Sequence, residues 1–291
     1  MRKLIILLLV AVPLLAQNAG QSAAPPAPAN APSQAAASTA PWSLAALAPQ
    51  PNEDSATRKA KQIVEKMIGA LGGKEFLTWQ TMTQRGRSYA FYQGQPNSVG
   101  TLFWRFYKYP DKERLEMTKD RDVIYVTRGN EGYEITYKGT AEQEKPTLDE
   151  ALRRRDHSID VIVREWLKDP RTLVIYGGTG TANQRMVENI TFLNANNDSV
   201  TIAVDPNDML PAQRTYTYRN PVDKLKDEEG EIYANYRRVQ GIMTPHTISR
   251  TKNDQMTNQR FVNEIQYNVP MDEAMFNAKV TYSPYKLSPK R

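Results

Sequence analysis

Apolar residues change their spacing repeatedly along this chain, and each change predicts a different kind of element. Between residues 60 and 71, Ala60, Ile63, Val64, Met67, Ile68 and Leu71 recur at the three-and-four spacing of one helical face. Asp54 or Ser55 stands where that helix would start, and Gly72-Gly73 where it would stop. From residue 82 to 138 the period becomes two. Tyr89, Phe91, Leu102, Trp104, Phe106, Leu115 and Met117 alternate there with polar or amphipathic residues, the pattern of half-buried strands. Turn-forming segments at 93–97, 109–112 and 128–132 separate these strands. Such connections are too short for the crossovers that parallel strands need, so antiparallel hairpins are expected.

A second helical stretch follows at Pro146, where Thr147 and Glu150 have the spacing of a capping box. Ile159, Ile162, Val163, Trp166 and Leu167 give it an apolar stripe, and Asp169-Pro170 ends it. The three consecutive arginines at 153–155 precede the stripe and read as a solvated face or salt-bridged turn in preference to a phosphate or headgroup site. Strands are then expected at 173–176, 185–193, 199–204, 213–218, 231–239, 246–251 and 259–268, punctuated by Gly, Asn, Asp and Pro. A long run of antiparallel strands interrupted once by a helix cannot stay flat with open edges, so it must curl or split.

Composition changes the picture mainly at the N-terminus. Arg2 and Lys3 precede an apolar run over residues 4–16 that contains Pro13 and is followed by Gln17, Asn18, Ala19 and Gly20. The run falls short of the ~20 residues that a membrane-spanning helix requires. Charge, apolar core and small polar residues in that order predict a cleavable signal peptide over 1–16 and export to the periplasm. Residues 17–50 are dominated by Ala, Pro, Gln, Ser and Asn, with only Trp42, Leu44 and Leu47 able to bury much surface. Such a segment cannot offset its ordering entropy, and a flexible, solvated spacer is expected. One folded domain is expected over 51–285, with a tail at 286–291. The chain has no cysteine, which removes a lipidation site, disulfides and thiolate metal ligands. Its formal charge of +6 is mild and carries no sustained basic stripe, so no nucleic-acid partner is expected.

Candidate chemistry is thin. Only His157 and His246 are present, and a metal site would need both plus distant carboxylates. No nucleophile elbow G-x-S-x-G occurs. Gly177-Gly178-Thr179-Gly180 follows an apolar strand, but no Gly-Lys-Ser/Thr comes after it, so a glycine-rich hairpin is expected rather than a phosphate loop. Asp205, Asn207 and Asp208 lack the glycine and distal glutamate of a calcium loop and read as a turn. Asp227, Glu228, Glu229 and Glu231 surround Gly230 and read as a solvated charged connection, not as two acids fixed across a cleft. No catalytic residue, metal or cofactor is expected, and the chain is expected not to be an enzyme.

Four phrases carry a family resemblance: Tyr109-Pro110-Asp111-Lys112-Glu113-Arg114-Leu115-Glu116, the stretch 199–211, the stretch 236–245 from Tyr236 to Pro245, and Asn268 with Phe276. In their order and spacing over about residues 56–280, the chain resembles the LolA-like superfamily of outer-membrane lipoprotein-sorting proteins and periplasmic lipoprotein carriers. The long Ala/Pro spacer and the charged segment 224–230 depart from that pattern. The resemblance implies an α+β fold: a half-open, curled antiparallel β-sheet, an incomplete barrel, with helices packed on its concave side. It also implies a non-catalytic periplasmic carrier or binder of lipid or lipoprotein acyl chains, whose CH2 groups are each worth ~0.8 kcal/mol when hidden from water. The cavity lining would then come from Tyr89, Phe91, Leu102, Trp104, Phe106, Leu115 and Met117 on strands, and from Ile159, Ile162, Val163 and Trp166 on the second helical stretch. The alternative is an envelope scaffold or stress-sensing module that uses the same sheet to bind another protein. A monomer is expected.

Overall fold

The computed structural model describes residues 44–284. The expected signal peptide, spacer residues 17–43 and the tail lie outside the described residues. The first helix forms where its apolar spacing places it, as α1 (Ser55–Leu71). Asp54 caps it, its side chain accepting from the Thr57 backbone N–H at 2.8 Å, which satisfies one of the helix's orphan donors. Gly72, at φ 129°, ends it, and the Gly73 N–H reaches back to the Ile68 carbonyl at 2.8 Å. Val64, Met67 and Ile68 on its apolar face are completely buried. Side chains of this size contribute roughly 1.5–3 kcal/mol each on full burial. A short helix, α2 (Lys74–Thr78), follows at once.

The strands are β1 (Thr81–Tyr92), β2 (Gln95–Pro96), β3 (Thr101–Lys108), β4 (Lys112–Met117), β5 (Val123–Arg128), β6 (Glu131–Thr136) and β7 (Gly139–Glu142). After the helical insertion come β8 (Leu173–Ala182), β9 (Arg185–Leu193), β10 (Ser199–Val204), β11 (Pro211–Arg219), β12 (Lys226–Val239), β13 (Ile242–Lys252) and β14 (Gln255–Tyr267). All join one antiparallel sheet in the order β7-β6-β5-β4-β3-β1-β14-β13-β12-β11-β10-β9-β8, with β2 paired to β1 off this path. The order is nearly that of the chain. The exception is the pairing of β1 with β14, which stitches the first half to the last strand and leaves β7 and β8 as edges, so the sheet is not closed.

Three local expectations are corrected. The second helical stretch is not one helix but α3 (Lys145–Asp156) and α4 (Ile159–Arg164). Ser158 breaks it by capping α4, accepting from the Val161 N–H at 3.3 Å, while α3 has no side-chain cap and starts with Pro146 in its first turn. Gly177 and Gly178 do not make a hairpin; they form a bulge inside β8, where Gly178 takes φ 83°, and the β8–β9 turn falls on Asn183 and Gln184. Asp227 to Glu231 is no solvated connection either. These residues lie on β12, and Asp227 and Glu229 are buried because hydrogen-bonding partners meet them there.

A single main core joins α1, α4 and one face of the sheet, including Phe103, Ile190, Phe192, Val200 and Ile202. Trp79 anchors its middle, 1% exposed, with the rings of Tyr107, Tyr109 and Tyr267 all within 6 Å and the Arg164 guanidinium 5.0 Å from its ring centre. Leu44 and Leu47, for which a solvated spacer was expected, belong to this core at 9% and 6% exposure. Lys61 of α1 fastens that segment by donating to the Ala48 carbonyl at 2.8 Å while paired with Glu53.

Candidate ligand cavity

Period-two alternation assigns each strand residue to a face, and cross-strand pairing carries the assignment across the sheet. Phe103 and Tyr107 are buried in the core, so Arg105 between them shares their face of β3. Register then places Leu115 opposite Arg105, Tyr125 opposite Leu115, Ile248 opposite Arg260 and Tyr233 opposite Ile248. All of these residues line one cavity of about 410 Å³. Its other walls come from α3 and α4, through Ala151, Leu152, Arg154, Arg155, Ile159 and Asp160, and from Leu71 and Phe76 where α1 passes into α2. The size lies within the roughly 300–1,000 Å³ common for small-molecule sites.

The lining is two-sided in chemistry. Leu71, Phe76, Met82, Leu115, Ile159, Ile242, Met243 and Ile248 supply apolar surface, and Tyr125, Tyr233, Tyr236 and Tyr267 supply rings. Across the sheet face runs a band of charge. Arg214 pairs with Glu231 at 3.0 Å, and Arg250 reaches the other oxygen of Glu231 at 3.0 Å. Arg105 pairs with Glu113 at 2.8 Å and approaches the Gln84 side chain at 3.5 Å. Between these two groups, on β14, stands Arg260. Among the described residues its side chain has no hydrogen bond or ion pair, and its Nε and that of Arg105 are both buried without an acceptor.

The electrostatics follow from that arrangement. Burial by itself would raise the Glu231 carboxyl, but Arg214, Arg250 and Arg260 together hold it well below the usual carboxylate range. Glu113 is likewise opposed by burial and brought down to about 2 by Arg105. For the cations the balance is different. Burial, followed by repulsion from Arg154 and Arg260, pushes Arg250 well below its ordinary value, and burial with the neighbouring Arg105 pushes Arg260 down to about 10. Asp160 on α4 moves up because burial outweighs the attraction of Arg164 and Arg105.

The residues expected at the cavity distribute as follows. Leu115 and Ile159 line it. Ile162 and Val163 are fully buried in the solid core, and Met117 and Trp166 pack against that core. Leu102, Trp104 and Phe106 lie on the face of β3 opposite Phe103, Arg105 and Tyr107, and Tyr89 and Phe91 share that opposite face on β1, where Arg87 pairs with Leu102. There Arg121 covers the rings of Trp104 and Phe106 at 5.1 and 5.9 Å, and Tyr89 meets Phe261 edge-on at 5.8 Å.

Other candidate groups are structural. His157 stacks on Tyr216 with ring centres 4.4 Å apart, and its Nδ1 lies 2.7 Å from the Arg153 carbonyl. His246 is buried beside the Thr244 carbonyl. Among the described residues no group of three His, Cys, Asp or Glu side chains could hold a metal. The arginine run is only partly solvated: Arg153 lies over the Tyr218 ring, Arg154 pairs with Glu150 at 3.0 Å, and Arg154 and Arg155 reach the cavity. The turn at 205–208 is satisfied internally, Asp205 accepting from the Asn207 backbone and side chain at 2.9 and 2.8 Å. Its neighbour Pro211 offers its carbonyl to the Tyr236 hydroxyl at 2.8 Å, which joins two of the four sequence phrases in space.

The sequence contained one signal for the charged band. Arg105, Glu231, Arg250 and Arg260 all stand in phase with inward apolar neighbours on their strands. On β3, however, apolar residues occupy both phases, so Arg105 could equally have been assigned outward.

No family model matches the chain, and no curated protein matches it. Solved structures do. A DUF1329 family protein from Desulfovibrio piger superposes with a TM-score of 0.51 at 11% identity, over 77% of this chain and 98% of the other. A LolA superfamily protein from Nitrosomonas europaea gives 0.46 at 10% identity, over 75% and 97%. An outer membrane lipoprotein-sorting protein domain from Vibrio parahaemolyticus gives 0.46 at 10% identity, over 74% and 95%. At these identities the comparison concerns fold alone and rests on the first structure.

Proposed function

We propose that this chain is a non-catalytic, periplasmic binder or carrier of a lipid or lipoprotein acyl chain, held in the cavity between the sheet and the helices. In that reading the unclosed sheet curls as a half-open barrel, with α1 to α4 on its concave side and the Ala/Pro segment as a spacer behind a cleaved signal. The observation that carries it is the cavity itself: an apolar and aromatic wall from Leu71, Phe76, Leu115, Ile159 and Ile248, large enough for a small amphiphile and set beside the main core. No described helix is long and apolar enough to cross a membrane.

A hydrolytic reading would start from the carboxylates that the fold gathers there. It is disfavoured because Glu113 and Glu231 are committed to ion pairs with Arg105, Arg214 and Arg250, which hold them ionised. Native mass spectrometry and lipid extraction of the purified full chain test the proposal. Copurified lipid, or uptake of added lipid in a one-to-one complex, is the expected result. A chain that holds no lipid and takes up none overturns it, and a stable envelope protein partner in place of lipid would establish the scaffold alternative.

A further inference from the structure

The acyl-chain reading accounts for the apolar part of the cavity but leaves its charged band without a role. That band is not balanced within itself. On the sheet face, Arg105, Arg214, Arg250 and Arg260 face Glu113 and Glu231, and the direct ion pairs of these carboxylates go to Arg105, Arg214 and Arg250, which leaves Arg260 only their longer-range attraction. Asp160 on α4 faces the same space, but it makes no ion pair there. Arg154, on the helical wall, is taken up by Glu150. Arg260 is therefore left at the cavity wall without a direct side-chain partner among the described residues, and its Nε, like that of Arg105, is buried without an acceptor. Desolvating a cation without a partner is costly, and a guanidinium fork offers paired donors that match the oxygens of a carboxylate or phosphate. Burial and mutual repulsion already depress Arg250 and Arg260, as expected where one negative charge is missing.

Resting on the binder reading above, we infer that the cavity is selective for an anionic amphiphile, whose carboxylate or phosphate sits on Arg260 and Arg105 while its chain lies along Leu115, Ile159 and Ile248. The rule for occupancy is then charge as well as chain. A neutral lipid of the same length would fill the apolar part and leave the cation unpartnered.

Binding of laurate, dodecyl phosphate, neutral monolaurin and inorganic phosphate to the purified full chain tests this by calorimetry. Laurate or dodecyl phosphate is expected to bind at least tenfold more tightly than monolaurin. Arg260→Met is expected to abolish that preference, bringing the laurate-to-monolaurin affinity ratio to about one, and Arg260→Lys is expected to retain most of it. Competition of dodecyl phosphate by inorganic phosphate at comparable concentration would identify the source as a free anion rather than a headgroup and would overturn the amphiphile assignment. Equal binding of laurate and monolaurin, or a preference that survives Arg260→Met, overturns the inference while the binder reading stands. Binding of no amphiphile at all overturns both. If Arg260→Met fails to fold, Arg105→Met with the wild-type ligand series reads the same preference.

Discussion

Glu231 is the residue on which the interior charge depends most. It answers both Arg214, only 1% exposed, and Arg250, so replacing it uncovers two buried guanidiniums at once. Breaking a buried pair from one side costs about 3–5 kcal/mol. Glu231→Gln is expected to lose stability in that range in urea unfolding at pH 7. The sign of the pH dependence follows from the depressed acids. Glu113 at about 2 when folded, against 4.5 ordinarily, contributes stability that is complete above about pH 4.5 and is lost as pH falls toward 2. Glu231, depressed as well, acts in the same direction, so the gap between wild type and Glu231→Gln should narrow below pH 4.5. Asp160 works oppositely: raised when folded, its charge opposes folding at neutral pH, and that penalty vanishes in acid. Asp160→Asn should therefore be the more stable protein at pH 7 and lose its advantage below the ordinary carboxylate range. None of these partners could be assigned from the chain. Arg214 and Glu231, or Arg105 and Glu113, meet only after strands pair, and a one-residue shift in phase would put each on the other face.

Helix α1 was legible to its boundaries, because its cap, its apolar face and its glycine stop all lie within one segment and agree. The α3–α4 break was not. Ser158 is an ordinary polar residue in a helical pattern until its side chain caps α4, and what holds the break is distant: the Arg214 guanidinium donates to the His157 carbonyl at 2.5 Å. Ser158→Ala is expected to cost about 1 kcal/mol, read in thermal unfolding. The pairing of β1 with β14 also depends on a position that looks unremarkable in sequence. A Cβ on Gly86 would stand 2.0 Å from the Phe261 carbonyl oxygen at the bulge between these strands. Gly86→Ala should therefore yield little soluble, folded protein, because this contact closes the two halves of the sheet on one another. The 177–178 glycines illustrate the reverse error: turn chemistry in the sequence became a bulge because both strands continued past it.

On the scale of the molecule, one large antiparallel sheet with a helical insertion was readable and the cavity chemistry was not. Leu44 and Leu47 show the limit most simply. In their own segment they are two leucines in a polar, proline-rich tract, but the core offers them a surface that they complete beside β8 and the 3-10 turn Trp166–Lys168. Replacing both with alanine is expected to lower stability by at least 2 kcal/mol in urea unfolding, since each such truncation in a core costs about 2–5 kcal/mol. A ligand that binds only the folded chain should raise its stability by about 2.7 kcal/mol at a hundredfold excess over Kd, so a melting shift with laurate gives a second measure of cavity binding. By itself, the sequence determined what local physics can determine: helical and strand periods, hairpin connections, antiparallel pairing and the lack of any cysteine. The tertiary structure alone decided which face of each strand turns inward, and with it that the cavity is half apolar and half charged. The reason is geometric: alternation assigns residues to two faces without saying which is buried, and only packing against α1, α3 and α4 makes that choice.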